Sequence, residues 1–566
     1  VGEDNHTADY TSSGSGSTTK VFKYTIQAGD NDTDGISIGA NALALNNGTI
    51  SDPAGNNATL THNAVSSNSS YMVDTEAPRV DNFTIDDALL TIGDNATVDL
   101  EFSEAVIEFI AADITNPNGS LPSMTSSDNI TWTGTFTPAT NTEVASNRFS
   151  LGSSSYTDLA GNAGPSETTA YYEVETRAPT VSSVEITRGT GMQNNFLNAS
   201  DAAGGDVLTL SVIFRESVII DNASGNPTLT LAVGDDNQTA TYTSGDNSTT
   251  LVFQYTIQVG ETDDNGISIG ANALALPTGS TIRDAAGNNA TNLNHSTVTN
   301  SSSFKVDTTP PTVSGVAITS GTGMLNDFLN ASDPAGGDVV SATVTFSEVV
   351  NKTGTPQLTL VVGSDNRTAT YASGTGNAPL VFTYTIQAGD NDTNGISIGA
   401  NALALNNSTI RDTADNYATN LNHDTVTNNS SYKVDTTPPT VNSVAITSGT
   451  GMLNDFLNHP TDVVSATVTF SENVSVTDTP QLTLSVGEDN HTADYTSSGS
   501  GATTTKVFKY TIQAGDNDTD GISIGANTLA LNSGTISDPA GNYATITHSA
   551  VLSNNSYMVD TEAPRV

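Results

Sequence analysis

Apolar and polar side chains alternate in short runs along the whole chain. The run from Val339 to Phe346 (VVSATVTF) alternates over a full strand length, and 357–362 and 380–387 repeat the pattern. A period of two residues is typical of strands that bury one face. Gly, Asn, Asp and Pro interrupt the runs, and no segment keeps a 3.6-residue period. The pattern therefore predicts an all-β protein.

Residues 312–439 illustrate the predicted fold. Further strand candidates in this unit lie at 312–319, 368–371, 396–398, 403–405 and 425–434. About seven short strands in one unit predict an antiparallel β-sandwich with immunoglobulin-like topology. The residues expected in its core are Phe346, Phe382, Tyr384 and Ile386. Trp132, the only tryptophan, is expected in the core of a shorter unit.

The phrase Val-Asp-Thr-x-x-Pro recurs along the sequence and divides the chain into units. Self-similarity at a period of about 130 residues is too long for a solenoid and suits a string of independent domains. The predicted units are the C-terminal half of a long repeat at 1–79, a short divergent domain at 80–179, and long repeats at 180–311, 312–439 and 440–566.

The first unit closely parallels 486–565 but lacks the opening strands of that repeat. Such a half sandwich would expose the apolar side chains of Val21, Phe22, Tyr24 and Ile26. We therefore expect the chain to be a window on a longer polymer. The missing strands are expected to come from upstream residues or from another subunit.

Charge and composition narrow the possible partners. The net charge is −45, from 61 acidic and 16 basic residues. This excludes nucleic acid as a partner, because phosphate binding needs Lys and Arg. The chain has no cysteine and no run of about 18 apolar residues that could span a membrane. Small domains without disulfides need another stabiliser, and a divalent cation suits the acidic loops.

Acidic residues recur at alternate positions of one loop. In 30–35 (DNDTDG), oxygen ligands at positions 1, 3 and 5 precede a glycine, as in the first half of an EF-hand loop. Asn41 stands where an EF-hand has its bidentate glutamate. The pattern predicts intradomain calcium sites, and the alternative is a polar turn between two strands. The candidate ligands are Asp30, Asp32, Asp34, Glu261, Asp263, Asn265, Asp390, Asp392, Asn394, Asp516, Asp518 and Asp520.

Four phrases of the sequence resemble those of a known family. They are VDTTPPTV at 306–313, GTGMLNDFLN at 321–330, Phe-Ser-Glu at 346–348 and Asp-Pro-Ala-Gly-Asn at 52–56. They resemble the tandem immunoglobulin-like repeats of giant prokaryotic calcium-dependent adhesins and surface-layer-type proteins. The unit 80–179 is similar to a second, shorter class of bacterial Ig-like domain. The resemblance implies surface display, calcium dependence and a role in adhesion or structural spacing.

The predicted fold brings a second group of acids together at each junction between units. In an Ig-like sandwich, the loop after the second strand and the last hairpin loop lie at one pole, beside the preceding linker. Phe-Ser-Glu, Asp-x-Ala-Gly-Asn and the linker Val-Asp-Thr each supply one carboxylate there. The pattern predicts interdomain calcium, and the alternative is a plain turn beside a solvated glutamate. The candidate ligands are Asp74, Glu104 and Asp158; Glu175, Glu216 and Asp284; Asp307, Glu348 and Asp412; and Asp435, Glu472 and Asp538.

Two of these sites depart from the repeated phrases. Glu175 replaces the linker Asp, and 413–416 (TADN) lacks the loop glycine.

The sequence contains 28 Asn-x-Ser/Thr sequons. They are compatible with N-linked glycans added by an N-glycosylating host, which among prokaryotes favours archaea, and equally with an Asn- and Thr-rich composition. The glycosylation candidates are Asn5, Asn82, Asn129, Asn237, Asn366 and Asn490.

No phosphate-binding glycine loop, Gly-x-Ser-x-Gly elbow or His-Glu-x-x-His motif occurs in the sequence. We predict that the chain is not an enzyme but an extracellular structural protein of the cell surface, part of a filament, surface layer or fibre in which copies associate. The alternatives are the stalk of a giant adhesin with a distal binding domain, and accessory modules of a secreted hydrolase.

Overall fold

The computed structural model describes residues 1–12, 17–199, 204–331, 336–496 and 501–563. Apart from two 3-10 turns, Ala111–Asp113 and Asn555–Tyr557, its regular elements in these ranges are β-strands. None of the described segments forms a helix long and apolar enough to cross a membrane. The all-β, immunoglobulin-like sandwich fold predicted from the sequence is confirmed.

The repeat at 312–439 shows how the long units are built. Its large sheet is antiparallel and runs in the order Val313–Thr322, Val339–Phe346, Leu380–Thr385, Asp365–Ser373, Gln357–Val362 and Leu403–Ala404. A smaller sheet has Lys433–Asp435 at its centre, parallel to Phe328–Leu329 and antiparallel to Asn391–Asp392. Asn351–Thr353 pairs with Thr409–Arg411 in a separate ladder.

Most of the long strands predicted in this repeat are present, and so is the short Leu403–Ala404. Two predictions are wrong: of 425–434 only its end forms a strand, Lys433–Asp435, and 396–398 makes isolated β-bridges and no strand.

Val339–Phe346 and Gln357–Val362 have the predicted bounds, and Asp365–Ser373 extends beyond the predicted 368–371 on both sides. The sequence pattern missed other strands of two or three residues, such as Phe328–Leu329 and Thr409–Arg411. A period of two cannot be recognised over so few positions.

The other two long repeats have the same strand order. The strands of 180–311 are Val181–Thr190, Phe196–Leu197, Val207–Asp221, Thr228–Val233, Asp236–Ser244, Ser248–Thr256, Thr262–Asp263, Leu274–Ala275, Thr281–Arg283 and Lys305–Asp307. Those of 440–566 are Val441–Thr450, Phe456–Leu457, Val463–Thr477, Gln481–Val486, Asp489–Thr496, Thr503–Thr511, Asn517–Asp518, Leu529–Ala530, Thr535–Ser537 and Met558–Asp560.

The two remaining units are shorter. The strands of 80–179 are Val80–Ile85, Leu89–Leu90, Ala96–Phe102, Val106–Ile107, Ile114–Thr115, Gly119–Ser120, Thr131–Pro138, Glu143–Asn147, Ser150–Leu151, Thr157–Asp158, Glu167–Thr168 and Tyr172–Glu175. Those described in 1–79 are Asp9–Thr11, Val21–Lys23, Asn31–Asp32 and Val73–Asp74.

Each of the four larger units has its own apolar core. Along Gln357–Val362 the alternate residues Leu358, Leu360 and Val362 are buried, as the two-residue period requires. The four predicted core residues, Phe346, Phe382, Tyr384 and Ile386, are all buried. Trp132 packs against the core of 80–179, with its ring edge-to-face on Phe109.

The first unit contrasts with its near-copy at the other end of the chain. Phe22 is 37% and Ile26 40% exposed, whereas the equivalent Phe508 and Ile512 are fully buried. Phe508 and Ile512 belong to the apolar core of 440–566, to which the strand Val463–Thr477, paired with that of Phe508, also contributes. The source of equivalent strands for 1–79 stays a prediction.

Candidate metal centres at the domain junctions

Three carboxylates from two consecutive domains converge at a junction. Asp307 ends the last strand of one repeat, Glu348 follows the strand Val339–Phe346 of the next, and Asp412 follows Thr409–Arg411. One carboxylate oxygen from each lies within 4.8 Å of the other two. Two further junctions have the same arrangement, formed by Asp74, Glu104 and Asp158 and by Asp435, Glu472 and Asp538.

The Asp-x-Ala-Gly-Asn loop is held by its own first and last residues. Asp412 Oδ1 accepts hydrogen bonds from the backbone N–H of Ala414 at 2.8 Å and of Asn416 at 2.9 Å. The Asn416 Nδ2 donates to Asp412 Oδ2 and also to the carbonyl oxygen of Asp307, both at 2.8 Å. The asparagine therefore ties the loop to the linker of the preceding domain.

This asparagine bridge occurs at all four junctions, with donor–acceptor distances of 2.8–3.0 Å to the carbonyls of Asp74, Glu175, Asp307 and Asp435. Its donors are Asn162, Asn288, Asn416 and Asn542. These asparagines were not predicted as functional residues, although their repetition at the end of the loop phrase was a visible signal.

The missing loop glycine does not disturb this geometry. Asp415 adopts φ +75°, in the left-handed region where Gly541 has φ +90°. Asp tolerates this region better than most residues with a side chain. The backbone hydrogen bond from Asp412 N to Asn416 O closes the loop at 3.2 Å, against 3.1 Å in the glycine-containing loop of Asp538.

The glutamate of each cluster is in an environment that disfavours its charged form. Burial, together with the neighbouring aspartates, raises the pKa of Glu348 and of Glu472 to about 7. Burial also raises the pKa of Glu104, and that of Asp412 despite its hydrogen bonds. In the exposed loop of the first unit, by contrast, hydrogen bonds from Asn56 lower the pKa of Asp52. The junction therefore brings carboxylates together at a cost that a cation would offset.

The spacing suits a hard divalent cation. Calcium binds oxygen ligands at about 2.3–2.6 Å, so two ligands on opposite sides of one ion lie about 5 Å apart. Oxygens within 4.8 Å of one another can therefore all contact a single ion. The residues present fit calcium, because three carboxylates supply hard, negatively charged oxygens. Binding of calcium at these residues stays a prediction.

The junction between 80–179 and 180–311 differs from the other three. Burial raises the pKa of Glu216, and the nearby carboxylates of Asp284 and Glu175 raise it further. These three residues nevertheless do not form a three-carboxylate group within 4.8 Å. Arg177 forms an ion pair with Glu143 and lowers the pKa of Glu216. Its backbone N–H donates to Glu175 Oε1 at 3.0 Å. This junction thus contains a cationic side chain, as does the first junction, where Arg79 lowers the pKa of Glu104.

Comparison with known proteins agrees with this architecture in one segment. Residues 74–174 match the family of bacterial Ig-like domains. The match confirms the resemblance of the unit 80–179 to a short bacterial Ig-like domain. It includes Asp74, Glu104 and Asp158, the three carboxylates of the first junction.

Similar solved structures share little sequence with the chain. They include the I-band fragment I67–I69 of titin, with 9% identity, coverage of 60% of this chain and 94% of that one, and a TM-score of 0.22. The adhesin FdeC of Escherichia coli has 11% identity, coverage of 63% and 98%, and a TM-score of 0.20. No curated protein matches the chain.

The predicted intradomain loops have a different geometry from the junctions. Asp392 Oδ2 accepts from Gly363 N at 2.7 Å, and its Oδ1 accepts from Gly395 N at 2.8 Å. Asp390 accepts from the Tyr384 hydroxyl at 2.7 Å and pairs with Arg367 Nε at 2.7 Å. Hydrogen bonds and an ion pair therefore account for these carboxylates without a metal ion.

The same contacts recur in the other loops. Asp32 and Asp263 each accept two backbone N–H bonds, and Asp518 accepts three, as Asp392 does. Asp30, Glu261 and Asp516 each accept a tyrosine hydroxyl. Backbone N–H groups of Gln27 and Gly2 are the largest factors that lower the pKa of Asp30 and of Asp32. Asp34, Asn265, Asn394 and Asp520 lie in the same loops, and calcium there stays a prediction.

The six named glycosylation candidates are all exposed. Asn237, Asn366 and Asn490 occupy the same position, the second residue of a strand, so the asparagine and the sequon threonine face outward together. Asn198 and Asn330 also begin sequons, but both are buried. Glycans at the exposed positions stay a prediction.

Proposed function

We propose that the chain is a calcium-rigidified array of Ig-like domains that serves as a structural element outside the cell, in a filament, surface layer or fibre. The observation that carries the proposal is the repeated three-carboxylate cluster at the junctions. A cation bound there would contact two domains at once and thereby restrict the angle between them.

The charge of the clusters supports this role. Without a cation, Glu348 and Glu472 would have to be protonated or repel two neighbouring carboxylates. Calcium binding would therefore stabilise the docked arrangement over a bent or separated one, by mass action. A series of such junctions converts a flexible string of domains into a stiff rod.

The proposed setting is the cell surface. The match of 74–174 to bacterial Ig-like domains supports it, as does the strongly acidic composition. Millimolar calcium outside cells would suffice to occupy sites of only moderate affinity. We further propose that copies of the chain associate and that the exposed sequons carry glycans.

Small-angle scattering with and without calcium tests the central claim. The maximum dimension of the full chain should be larger and its flexibility lower in calcium than in excess chelator, with the calcium form restored on re-addition. Sodium chloride at equal ionic strength is the control, because it screens charge without bridging carboxylates. An identical scattering profile in calcium and in chelator would contradict the proposal.

Sedimentation of the same samples distinguishes a polymer from an isolated stalk. Association that increases with protein concentration in calcium favours the filament or layer. A monomer at all concentrations favours the stalk of an adhesin.

A further inference from the structure

A tight hairpin lies beside two of the junctions and has no part in the carboxylate clusters. It comprises 193–196 in one repeat and 325–328 in the next. Leu325 and Phe328 exchange backbone hydrogen bonds of 3.0 Å, and the two residues between them, Asn326 and Asp327, have φ of +51° and +67°. Positive φ at both central residues is typical of a type I′ turn, which favours Asn and Asp.

The hairpin and the residues after it contact the next domain. Asn326 Nδ2 donates to the carbonyl of Pro539 at 2.9 Å, and Asn330 Nδ2 donates to that of Ala540. Both acceptors belong to the Asp-x-Ala-Gly-Asn loop of 440–566. A Cβ at Gly541 in this loop would lie 3.3 Å from Asn330 Nδ2, so the loop approaches closely.

The preceding junction repeats both bonds with the equivalent atoms. Asn194 Nδ2 donates to Thr413 O at 2.9 Å, and Asn198 Nδ2 donates to Ala414 O at 2.5 Å. Asn198 and Asn330 are 3% and 9% exposed. Two junctions with different loop sequences, TADN and PAGN, thus use the same pair of asparagines.

We propose that the segments 193–198 and 325–330, here called the sockets, are docking sites for the Asp-x-Ala-Gly-Asn loop of the following domain. They orient that domain without a metal ion. All four bonds join a neutral amide to a backbone carbonyl, so neither calcium nor a carboxylate takes part. The inference therefore goes beyond the proposed calcium function and does not depend on it.

The docked loop is held from both sides. The sockets donate hydrogen bonds to the carbonyl groups of its second and third residues. The loop's own asparagine, Asn416 or Asn542, donates to the linker carbonyl of the preceding domain. Each junction therefore has hydrogen bonds in both directions across the interface. Such reciprocal bonds fix a rotation about the linker, which a single point of contact cannot do.

A third copy of the segment, 453–458, provides a matched control. Asn454 and Asp455 have φ of +50° and +64°, and Asn458 N donates to Asp462 Oδ2 at 3.0 Å, much as Asn330 N donates to Asp338 at 2.8 Å. The conformation is thus the same, but the side chains of Asn454 and Asn458 are exposed. Substitutions there should destabilise the turn as much as those in the sockets do, but they break no contact between domains.

The experiment measures distances across the junction of 312–439 and 440–566 in the full chain. The sequence has no cysteine, so spin labels at S364C and E488C, both exposed positions, are unique. The socket variant is N326G with N330A, and the control is N454G with N458A. Glycine keeps the positive φ, so the turn still forms. Distance distributions are recorded in calcium and in excess chelator.

In chelator, we expect the socket variant to show a broad distribution, with the ratio of docked to undocked junctions reduced by about 5–30-fold through loss of two hydrogen bonds. The control should match the unmodified chain. A narrow distribution for the socket variant in chelator, or equal broadening of the control, would overturn the inference. Failure of the calcium proposal would appear separately, as no effect of chelator on the unmodified chain.

Discussion

Two acidic regions of one repeat look alike in sequence but differ in structure. The loop 390–395 and the junction cluster of Asp307, Glu348 and Asp412 both concentrate carboxylates within a few residues or a few ångströms. In the loop, backbone N–H groups, Tyr384 and Arg367 already occupy the carboxylate oxygens. At the junction, no described residue donates a hydrogen bond to the side chain of Glu348, and its pKa is about 7.

The difference shows that a density of acids does not by itself indicate a metal site. A carboxylate that accepts two or three N–H bonds is stabilised as an anion where it is, and it has few lone pairs left for a cation. Glu348, half-buried beside two aspartates and without a donor among the described residues, has the opposite balance, whereas Asp412 in the same cluster accepts three N–H bonds and resembles the loop carboxylates in this respect. The unsatisfied group, and not the count of acids, marks the better candidate for calcium.

The largest effect that separates the two regions is expected for Asp392→Ala. Three backbone N–H groups, of Gly363, Asn394 and Gly395, would lose their acceptor, and the bond from Gly395 is fully buried. Removal of such an acceptor should lower the free energy of unfolding of this domain by about 3 kcal/mol. Denaturant unfolding in calcium and in chelator measures it, and the loss should be equal in both.

Asn394→Ala in the same loop is the control, because it changes another proposed calcium ligand but leaves those hydrogen bonds in place. We expect little change. If both variants lost stability only in the presence of calcium, the loop would be a metal site after all.

The next largest effect is expected at the junction. Glu348→Gln keeps the size of the side chain but removes one of three carboxylates, so calcium affinity there should fall by about tenfold, or about 1.4 kcal/mol. Isothermal calorimetry and scattering measure the change. Glu216→Gln, beside Arg177, is the control and should alter calcium binding much less. Equal effects of the two substitutions would remove the distinction between these junctions.

A good part of this organisation was predictable from the sequence. The all-β class, the long strands and the core positions Phe346 and Phe382 follow from a two-residue period. The meeting of Asp307, Glu348 and Asp412 followed from the fold that the pattern implied.

The repetition of the loop asparagines was visible in the sequence, but the partners of their side chains and the hydrogen bonds of Asp392 were not predictable. They depend on the direction of individual donors, which neither composition nor spacing records. The same limit explains the short strand Phe328–Leu329 and the left-handed Asp415.

The dependence of folding stability on pH gives a smaller but more specific difference between the junction clusters and the loops. In the metal-free fold the pKa of Glu348 and Glu472 is about 7, above the 4.5 of an unperturbed glutamate. Between these values the folded chain holds protons that the unfolded chain has released, so its stability falls as the pH rises from about 4.5 to 7. In chelator, the melting temperature should therefore increase as the pH is lowered from 7.5 to 5.5.

Saturating calcium should reverse that slope, because protons then compete with the ion for the same oxygens. Scanning calorimetry at several pH values, in calcium and in chelator, measures both slopes. Slopes of the same sign in the two conditions would show that the glutamates and calcium do not compete. Glu348→Gln combined with Glu472→Gln should flatten the slope in chelator.

The smallest effect is expected at Asp415, in the loop that lacks its glycine. Asp415 has φ +75°, so Asp415→Gly relieves a left-handed backbone at a side-chain residue, a gain of about 1 kcal/mol. It also removes a half-exposed ion pair with Arg411, worth about 0–1 kcal/mol. The net change in unfolding free energy should be a small gain.

The reverse substitution, Gly541→Asp, should cost more than Asp415→Gly gains, because a Cβ there lies 3.3 Å from Asn330 Nδ2 and would disturb the socket as well. Thermal unfolding of the two variants measures this asymmetry. Equal and opposite shifts would mean that the loops are interchangeable and that close approach to the preceding domain contributes nothing.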